Sequence, residues 1–442
     1  MTRLSGWGRF PVVEGFERLS PDLGAACRGV SLTRGLGRSY GDASLPSCVG
    51  GEVAATRLGN CILAFDRERG VLRAEAGFTL EELDAIGRPA GWVSPVCPGT
   101  SQVTLGGMVA CDVHGKNHHR RGTFGEHVTS LRMLVADGRV LEVSPTEEPE
   151  LFAATLGGMG LTGHLLEVEV QLERVNSPWI AAEQEIASDL EDLVLRLRQA
   201  SQTWPYTTAW VNALARGRGM GQGVVTKGRW AEPERSPRGN PPRLRRMGVP
   251  VECPGWVLGP VSMRAFNAGF YAAHKFKRQR RVMHPDRFFY PLDVLRNWNR
   301  MYGRQGLIQY QCVIPMDAED GVAPITRFFE TLIGCGGGSL LTVLKDCGPA
   351  GTGMMSFPRP GVSVALDLPM RGRSTQALVD ALNRSVLAEG GRIYLAKDAL
   401  TRAEDFHAME PRLEGWNAVR RRWDPEGTLK SALSVRLLGD EA

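Results

Sequence analysis

Three glycine-rich clusters in the first 165 residues, set between short β-like runs, constrain this chain more than any other feature. They are Arg34-Gly35-Leu36-Gly37-Arg38-Ser39-Tyr40-Gly41-Asp42, then the run from Cys97 to Ala110 with Gly99, Thr100, Thr104, Gly106 and Gly107, then Thr155-Leu156-Gly157-Gly158-Met159-Gly160-Leu161-Thr162-Gly163. Glycine lets the main chain turn tightly or approach a ligand without a steric penalty, and 53 glycines in 442 residues exceed the usual share of about 7%. One such cluster is explained by a turn. Three in order, with strands between them, point to backbone held against a bound group. The first follows a strand as a dinucleotide loop would, yet its spacing is not G-x-G-x-x-G and Ala43-Ser44-Leu45-Pro46-Ser47 is no helix, so the Rossmann arrangement is not met. A nest of backbone N–H groups around phosphate serves instead. The second cluster adds hydroxyls and backbone donors suited to a diphosphate.

Short β-rich runs are predicted at 28–33, 61–66, 71–75 and 131–135, with a short helix over 80–86, a mixture that reads as α+β. The glycine-rich texture ends near Val170, and a helical stretch over 189–199 opens a different pattern. Later strands can be read for direction because side chains alternate faces. In Ile308–Ile314, Gln309 and Gln311 share a face; Leu341–Lys345 ends in a lysine; in Val362–Leu368 four large apolar residues oppose Ser363, Ala365 and Asp367. The result is a sheet with one apolar face and one small or polar face, which serves either as a pocket floor or as a solvated surface. An amphipathic helix with Leu378, Ala381, Leu382 and Val386 stops at Gly390-Gly391, and a strand over 392–396 is predicted to place Lys397 at its end.

A chain of this length suits two domains with real cores, needing neither disulfides nor metals. Nine cysteines, scattered and never spaced C-x-x-C, argue against a disulfide framework and a zinc ribbon and favour a reducing cytoplasm. No run approaches the roughly 18 apolar residues of a spanning helix. The net charge of +5 is modest, but basic residues cluster at Lys227–Arg246 and Lys275–Arg281. Such clusters are either solvated surface or the mark of a phosphate-bearing substrate or an anionic membrane surface. The Pro/Arg-rich stretch from Trp230 to Pro250 reads as a mobile loop.

Between the second and third clusters lies Cys111-Asp112-Val113-His114-Gly115-Lys116-Asn117-His118-His119. Its spacing matches neither H-E-x-x-H nor a Cys/His finger, so no metal site is expected. No G-x-x-x-x-G-K-[ST] precedes Asn117, which excludes a P-loop. Histidine and lysine beside a flavin ring or a phosphate, or structural hydrogen bonding alone, account for the segment.

The Arg34–Asp42 loop, His114-Gly115-Lys116-Asn117-His118-His119 and Tyr394-Leu395-Ala396-Lys397-Asp398 together resemble the decaprenylphosphoryl-β-D-ribose 2′-oxidase family, and the similarity runs from Gly6-Trp7-Gly8 to Asn417-Ala418-Val419-Arg420-Arg421. The resemblance implies a vanillyl-alcohol-oxidase type of flavoprotein. Its two-part PCMH-type FAD-binding domain would comprise residues 1–175 and 391–442, with a substrate domain inserted at 176–390 on an antiparallel sheet with helices. The reaction implied removes hydride from ribose C2′ of a polyprenyl-phosphate sugar, and a partner short-chain reductase completes epimerisation to arabinose for the cell wall. Carried over by position, Gly35, Gly37, Arg38, Ser39, Tyr40, Gly99, Thr100, Thr104, Gly106, Gly107, Ala110, His114, Asn117, His118, Gly163 and Tyr394 would bind FAD. Lys116, Gln311, Lys345 and Lys397 would line the substrate side, with His114 and Tyr40 beside the chemistry. Many flavoproteins of this type attach FAD to a histidine of the first loop, where Tyr40 stands here, so non-covalent FAD is implied.

The chain departs from the family pattern at Ser363 and Ala365, where asparagine and cysteine are usual, and at Phe289, where a pocket tyrosine is usual. Flavin chemistry survives these changes, while the exact sugar and lipid are left open. Free-sugar or aldonolactone oxidation, and a non-catalytic module for anionic surfaces, are the competing expectations; peripheral membrane contact is compatible with the basic clusters, and no nucleic acid is expected. Removing hydride from an alcohol also requires a base for the hydroxyl proton. Burial and a second cation such as Lys345 would lower the pKa of Lys397 enough for that role. The other reading of Lys397 is a permanent cation for the substrate phosphate.

Overall fold

The structure, a computed structural model, describes residues 1–254, 258–275, 280–316, 319–339 and 341–442. Its fold is α+β. The first glycine loop leaves a four-stranded sheet in which Thr2–Ser5 runs antiparallel to Val12–Leu19, and Glu52–Ala55 runs parallel to both Val12–Leu19 and Thr33–Arg34. A five-stranded antiparallel sheet follows, ordered Ile62–Asp66, Val71–Glu75, His164–Gln171, Val128–Leu134 and Val140–Val143. The helix Leu80–Gly87 packs against it and starts where sequence chemistry dictates: Thr79 accepts from the Glu82 amide and Glu82 reaches back to Thr79 N.

An antiparallel sheet of eight strands carries the rest. Its order is Arg280–Met283, Ile180–Ala187, Gly223–Trp230, Tyr206–Val211, Thr342–Cys347, Gly361–Pro369, Leu307–Ile314 and Arg392–Ile393. The period-2 pattern of Gly361–Pro369 decides which face is which. Val362, Val364, Leu366 and Leu368 are buried in one core with Phe328, Phe329 and Leu332 of the helix Ala323–Gly334 and Val379, Leu382 and Val386 of the helix Arg373–Ala388. Each such aliphatic side chain contributes about 1.5–3 kcal/mol on burial. The opposite face, with Gln309, Gln311, Lys345 and Ala365, borders a cavity.

The C-terminal helices Ala403–Met409, Leu413–Trp423 and Ala432–Leu438 return to the N-terminal half. Trp416 Nε1 donates to Ala154 O at 2.8 Å, and Arg436 grips Asp42 through two hydrogen bonds of 2.7 and 2.8 Å. Asp398 joins at 2.8 Å from Arg436 Nη1. Gly41 has to be glycine here, since a Cβ would overlap the Asp398 carbonyl.

Two predicted strands are shorter than expected. In place of a strand over 28–33, the helix Leu23–Cys27, capped by Asp22, ends in a turn, and only Thr33–Arg34 find partners, at Ala54 and Ala55. The last strand stops at Ile393, and Leu395–Lys397 form a 3₁₀ turn. Its cause is the first loop: the Ala396 carbonyl accepts from Tyr40 N at 2.9 Å and so leaves the sheet. The helix expected over 189–199 extends over Leu190–Thr203 with Asp189 as its cap. Within the Pro/Arg-rich stretch, Met247–Gly248 pairs in parallel with Leu295–Arg296. Among the described residues no helix is long and apolar enough to cross a membrane, and the nine cysteines are free thiols.

Candidate functional site

The glycine loops and the polar face of the eight-stranded sheet enclose a cavity of about 910 Å³, at the upper end of the range for ligand pockets of about 300–1,000 Å³. The first loop contributes Gly35, Gly37, Arg38, Ser39 and Tyr40, the second Gly99, Thr100, Thr104, Gly106, Gly107 and Ala110, and the third Gly163. Thr104 caps the short helix Leu105–Ala110 by accepting from Gly107 N at 3.2 Å. A side chain at position 35 would strike the Thr104 hydroxyl. Gly99 and Gly160 differ: both line the cavity, and nothing lies within 4 Å of where a Cβ would stand. They leave open a cradle that a side chain would fill.

His114, Lys116, Gln311, Lys345, Ala365, Phe289, Tyr394 and Lys397 form the facing wall. The Gln311 amide nitrogen lies 2.8 Å from His114 Nε2 and 3.0 Å from Ser363 Oγ, donating to both. His114 therefore carries its proton on Nδ1, a buried atom with no hydrogen-bond partner among the described residues. Burial first, then Lys345, holds its pKa well below the usual histidine range, so the ring is neutral. A buried donor left unpaired costs about 1–3 kcal/mol, which an acceptor on a bound group removes.

The three lysines dominate the electrostatics. Lys116 donates to the carbonyls of Phe288 at 2.7 Å and Phe289 at 2.9 Å, and burial, then Lys345, pushes its pKa down to about 7. Burial likewise lowers Lys345. Lys397 Nζ lies 4.1 Å from the Tyr40 ring centroid, and its pKa is pushed down to about 8 by burial, which outweighs the opposing charge of Asp367. These side chains keep some exposure, but it is to the cavity, whose walls strip them of bulk water. Asp367 sits behind them, bonded by Gln309, its own pKa raised to about 6 by burial.

Three residues named from the sequence lie behind the wall. Asn117 Nδ2 donates to Pro95 O at 2.8 Å, His118 Nδ1 accepts from Gly348 N at 3.0 Å, and Ser363 reaches the cavity only through Gln311. Other lining residues escaped sequence reasoning. Arg246, Arg281, Arg287 and Arg296 stand on the wall, with Glu81 and Asp293 among them, and Arg246 pairs with Glu81. Trp7 packs under Arg38 at 4.0 Å, and Trp298 lies 6.4 Å from Tyr40. The basic clusters signalled some of these arginines, but nothing in the sequence tied them to the glycine loops.

Residues 26–144 match the FAD binding domain family. The chain is 33% identical, over 98% of its length and 97% of the other protein, to a decaprenylphosphoryl-β-D-ribose oxidase of Mycolicibacterium smegmatis. An uncharacterised protein of Streptomyces coelicolor is 34% identical over 81% of this chain and 99% of its own. An L-gulonolactone oxidase of Scyliorhinus torazame is 34% identical over 25% of each chain. The cavity fits the cofactor that these matches imply: Gly99 and Gly160 leave room against bare main chain, while His114 Nδ1 and Arg38 Nε are buried and unpartnered among the described residues. The protein is thus an FAD-dependent oxidoreductase, and the chain belongs to the decaprenylphosphoryl-β-D-ribose oxidase family.

Proposed function

We propose that this enzyme oxidises the C2′ alcohol of a polyprenyl-phosphate ribose, giving a keto sugar for a partner short-chain reductase in arabinose supply to the cell wall. The observation that carries the reading is the cluster of three desolvated lysines around one cavity, with Lys397 held at about 8 against Tyr40. A concentration of lysines suits a phosphate-bearing substrate, and two of them, Lys116 at about 7 and Lys397 at about 8, are partly neutral near pH 7, which suits an alcohol that must lose a proton. Similarity to an oxidase of a decaprenylphosphoryl ribose over nearly the whole chain supports the same substrate class.

In this reading the FAD domain is the two-part PCMH type, formed by 1–175 and 391–442, and residues 176–390 bind substrate. Gly35, Gly37, Arg38, Ser39, Gly99, Thr100, Thr104, Gly106, Gly107, Ala110 and Gly163 would hold the cofactor non-covalently together with His114, and Tyr394 packs beside His114 at 5.0 Å between ring centroids. Asn117 and His118 support that wall from behind. Bound FAD supplies an acceptor for the hydride that leaves the carbinol carbon. Lys397 Nζ takes the hydroxyl proton, Lys345 and Lys116 hold the substrate's anionic part, and Gln311 orients the sugar with the amide that Ser363 fixes. Ala365 and Phe289 shape the sugar pocket.

Anaerobic mixing of the yellow protein with sugars, aldonolactones and polyprenyl-phosphate ribose tests the reading. The lipid-linked sugar is expected to bleach the flavin. Bleaching by a soluble lactone alone would reassign the substrate class, and a colourless preparation that never takes up FAD would end the enzymatic reading.

A further inference from the structure

We propose that the mouth of the cavity is a docking surface for an anionic lipid bilayer, formed by exposed apolar side chains set among arginines. The inference rests on a lipid-linked substrate, since such a molecule presents its phosphate and sugar at a membrane surface and has to enter the cavity from there.

Charge gives the first argument. Residues 227–304 contain seventeen Lys and Arg against five Asp and Glu, a net +12 in a chain whose total is +5. The remainder of the protein is therefore net −7, so its surface charge is strongly one-sided along the chain. The excess reaches the cavity: Arg281, Arg287 and Arg296 all line it, and none has an ion-pair partner among the described residues.

Exposed apolar groups give the second. Phe266 lines the cavity yet is 52% exposed, which places it at the rim. Val261, at 80%, lies in the first turn of the same helix Pro260–Lys275, and Phe270 continues the apolar wall inward, its ring 6.0 Å from that of Phe266. Met247, 68% exposed, pairs with Leu295, itself a lining residue. Single exposed apolar residues need no explanation. Here they stand beside unpaired cations around one opening, the pattern of an interfacial surface that inserts apolar tips among headgroups while basic residues meet the anionic layer.

The holoprotein is to be tested by co-sedimentation with phosphatidylglycerol vesicles and with phosphatidylcholine vesicles, without any sugar. Preferential binding to phosphatidylglycerol is expected, weakened about 100-fold when Arg281, Arg287 and Arg296 are changed together to glutamate. The pair Val261→Asp and Met247→Asp should also release the protein, and flavin content shows that both variants are folded. Equal binding by wild type and variants would overturn the proposal, as would loss on charge reversal with no effect of the aspartates, or tighter capture by a DNA oligonucleotide than by the vesicles. Vesicle binding without flavin reduction by any lipid-linked sugar would sink the substrate reading alone. Reduction without vesicle binding would sink the docking surface alone.

Discussion

Replacing Lys397 separates a base from a phosphate clamp. Its pKa near 8, against an ordinary 10.5, changes the neutral fraction at pH 7 from about 0.03% to about 10%, roughly 300-fold more of the form that can accept a proton. The sign follows directly: the neutral amine is the base, so flavin reduction should rise about tenfold per pH unit below 8 and level off above it. Lys397→Met should keep the yellow complex, slow reduction at least about 100-fold and abolish that pH dependence. Excess substrate should not restore the rate, because the lost interaction belongs to the transition state. Lys397→Arg keeps a cation that cannot give up its proton near neutral pH, so it should be nearly as slow. Asp367 supplies the opposing charge that raises Lys397; Asp367→Asn should move the rising limb to lower pH. Stopped-flow reduction under anaerobic conditions across pH and substrate concentration reads all of these. Near-normal reduction by Lys397→Met or Lys397→Arg at saturation would refute the base and leave only phosphate binding.

Two further outcomes are expected. Acid or heat precipitation should release FAD into the supernatant, because the loop from Arg34 to Asp42 offers tyrosine and no histidine for attachment; yellow colour retained in the pellet would contradict this. Arg436→Met should destabilise the fold by about 3–5 kcal/mol, since it leaves the carboxylates of Asp42 and Asp398 buried without their cation; a chemical-denaturation midpoint equal to that of the wild type would show the network to be dispensable.

The features legible in sequence are those whose cause is local. Alternation alone told Val362, Val364, Leu366 and Leu368 from Ser363, Ala365 and Asp367, and the glycine clusters announced loops near a ligand, because φ freedom and strand period are properties of neighbouring residues. The strand forecast over 392–396 failed for the opposite reason: the Ala396 carbonyl is taken by Tyr40, more than 350 positions earlier. Distance in sequence also hid the pairing of Arg246 with Glu81, and the short bridge Met247–Gly248 that carries that stretch to the cavity mouth. The family resemblance sets Ser363 among the pocket residues. The structure seats it one layer back, where it sets the Gln311 amide and, through it, the tautomer of His114.

The clasp between Arg436 and Asp42 spans 394 positions, and it imposes an order on the life of the molecule. A ribosome adding about 5–20 residues per second needs about 20–80 s to travel from one partner to the other. For most of that interval the first glycine loop has neither Ala396, Asp398 nor Arg436 to hold its shape. Cofactor capture is thus a late event in biogenesis, and a nascent chain stalled before its final helix should be a colourless, protease-sensitive protein even though every glycine of the FAD loops has already been made.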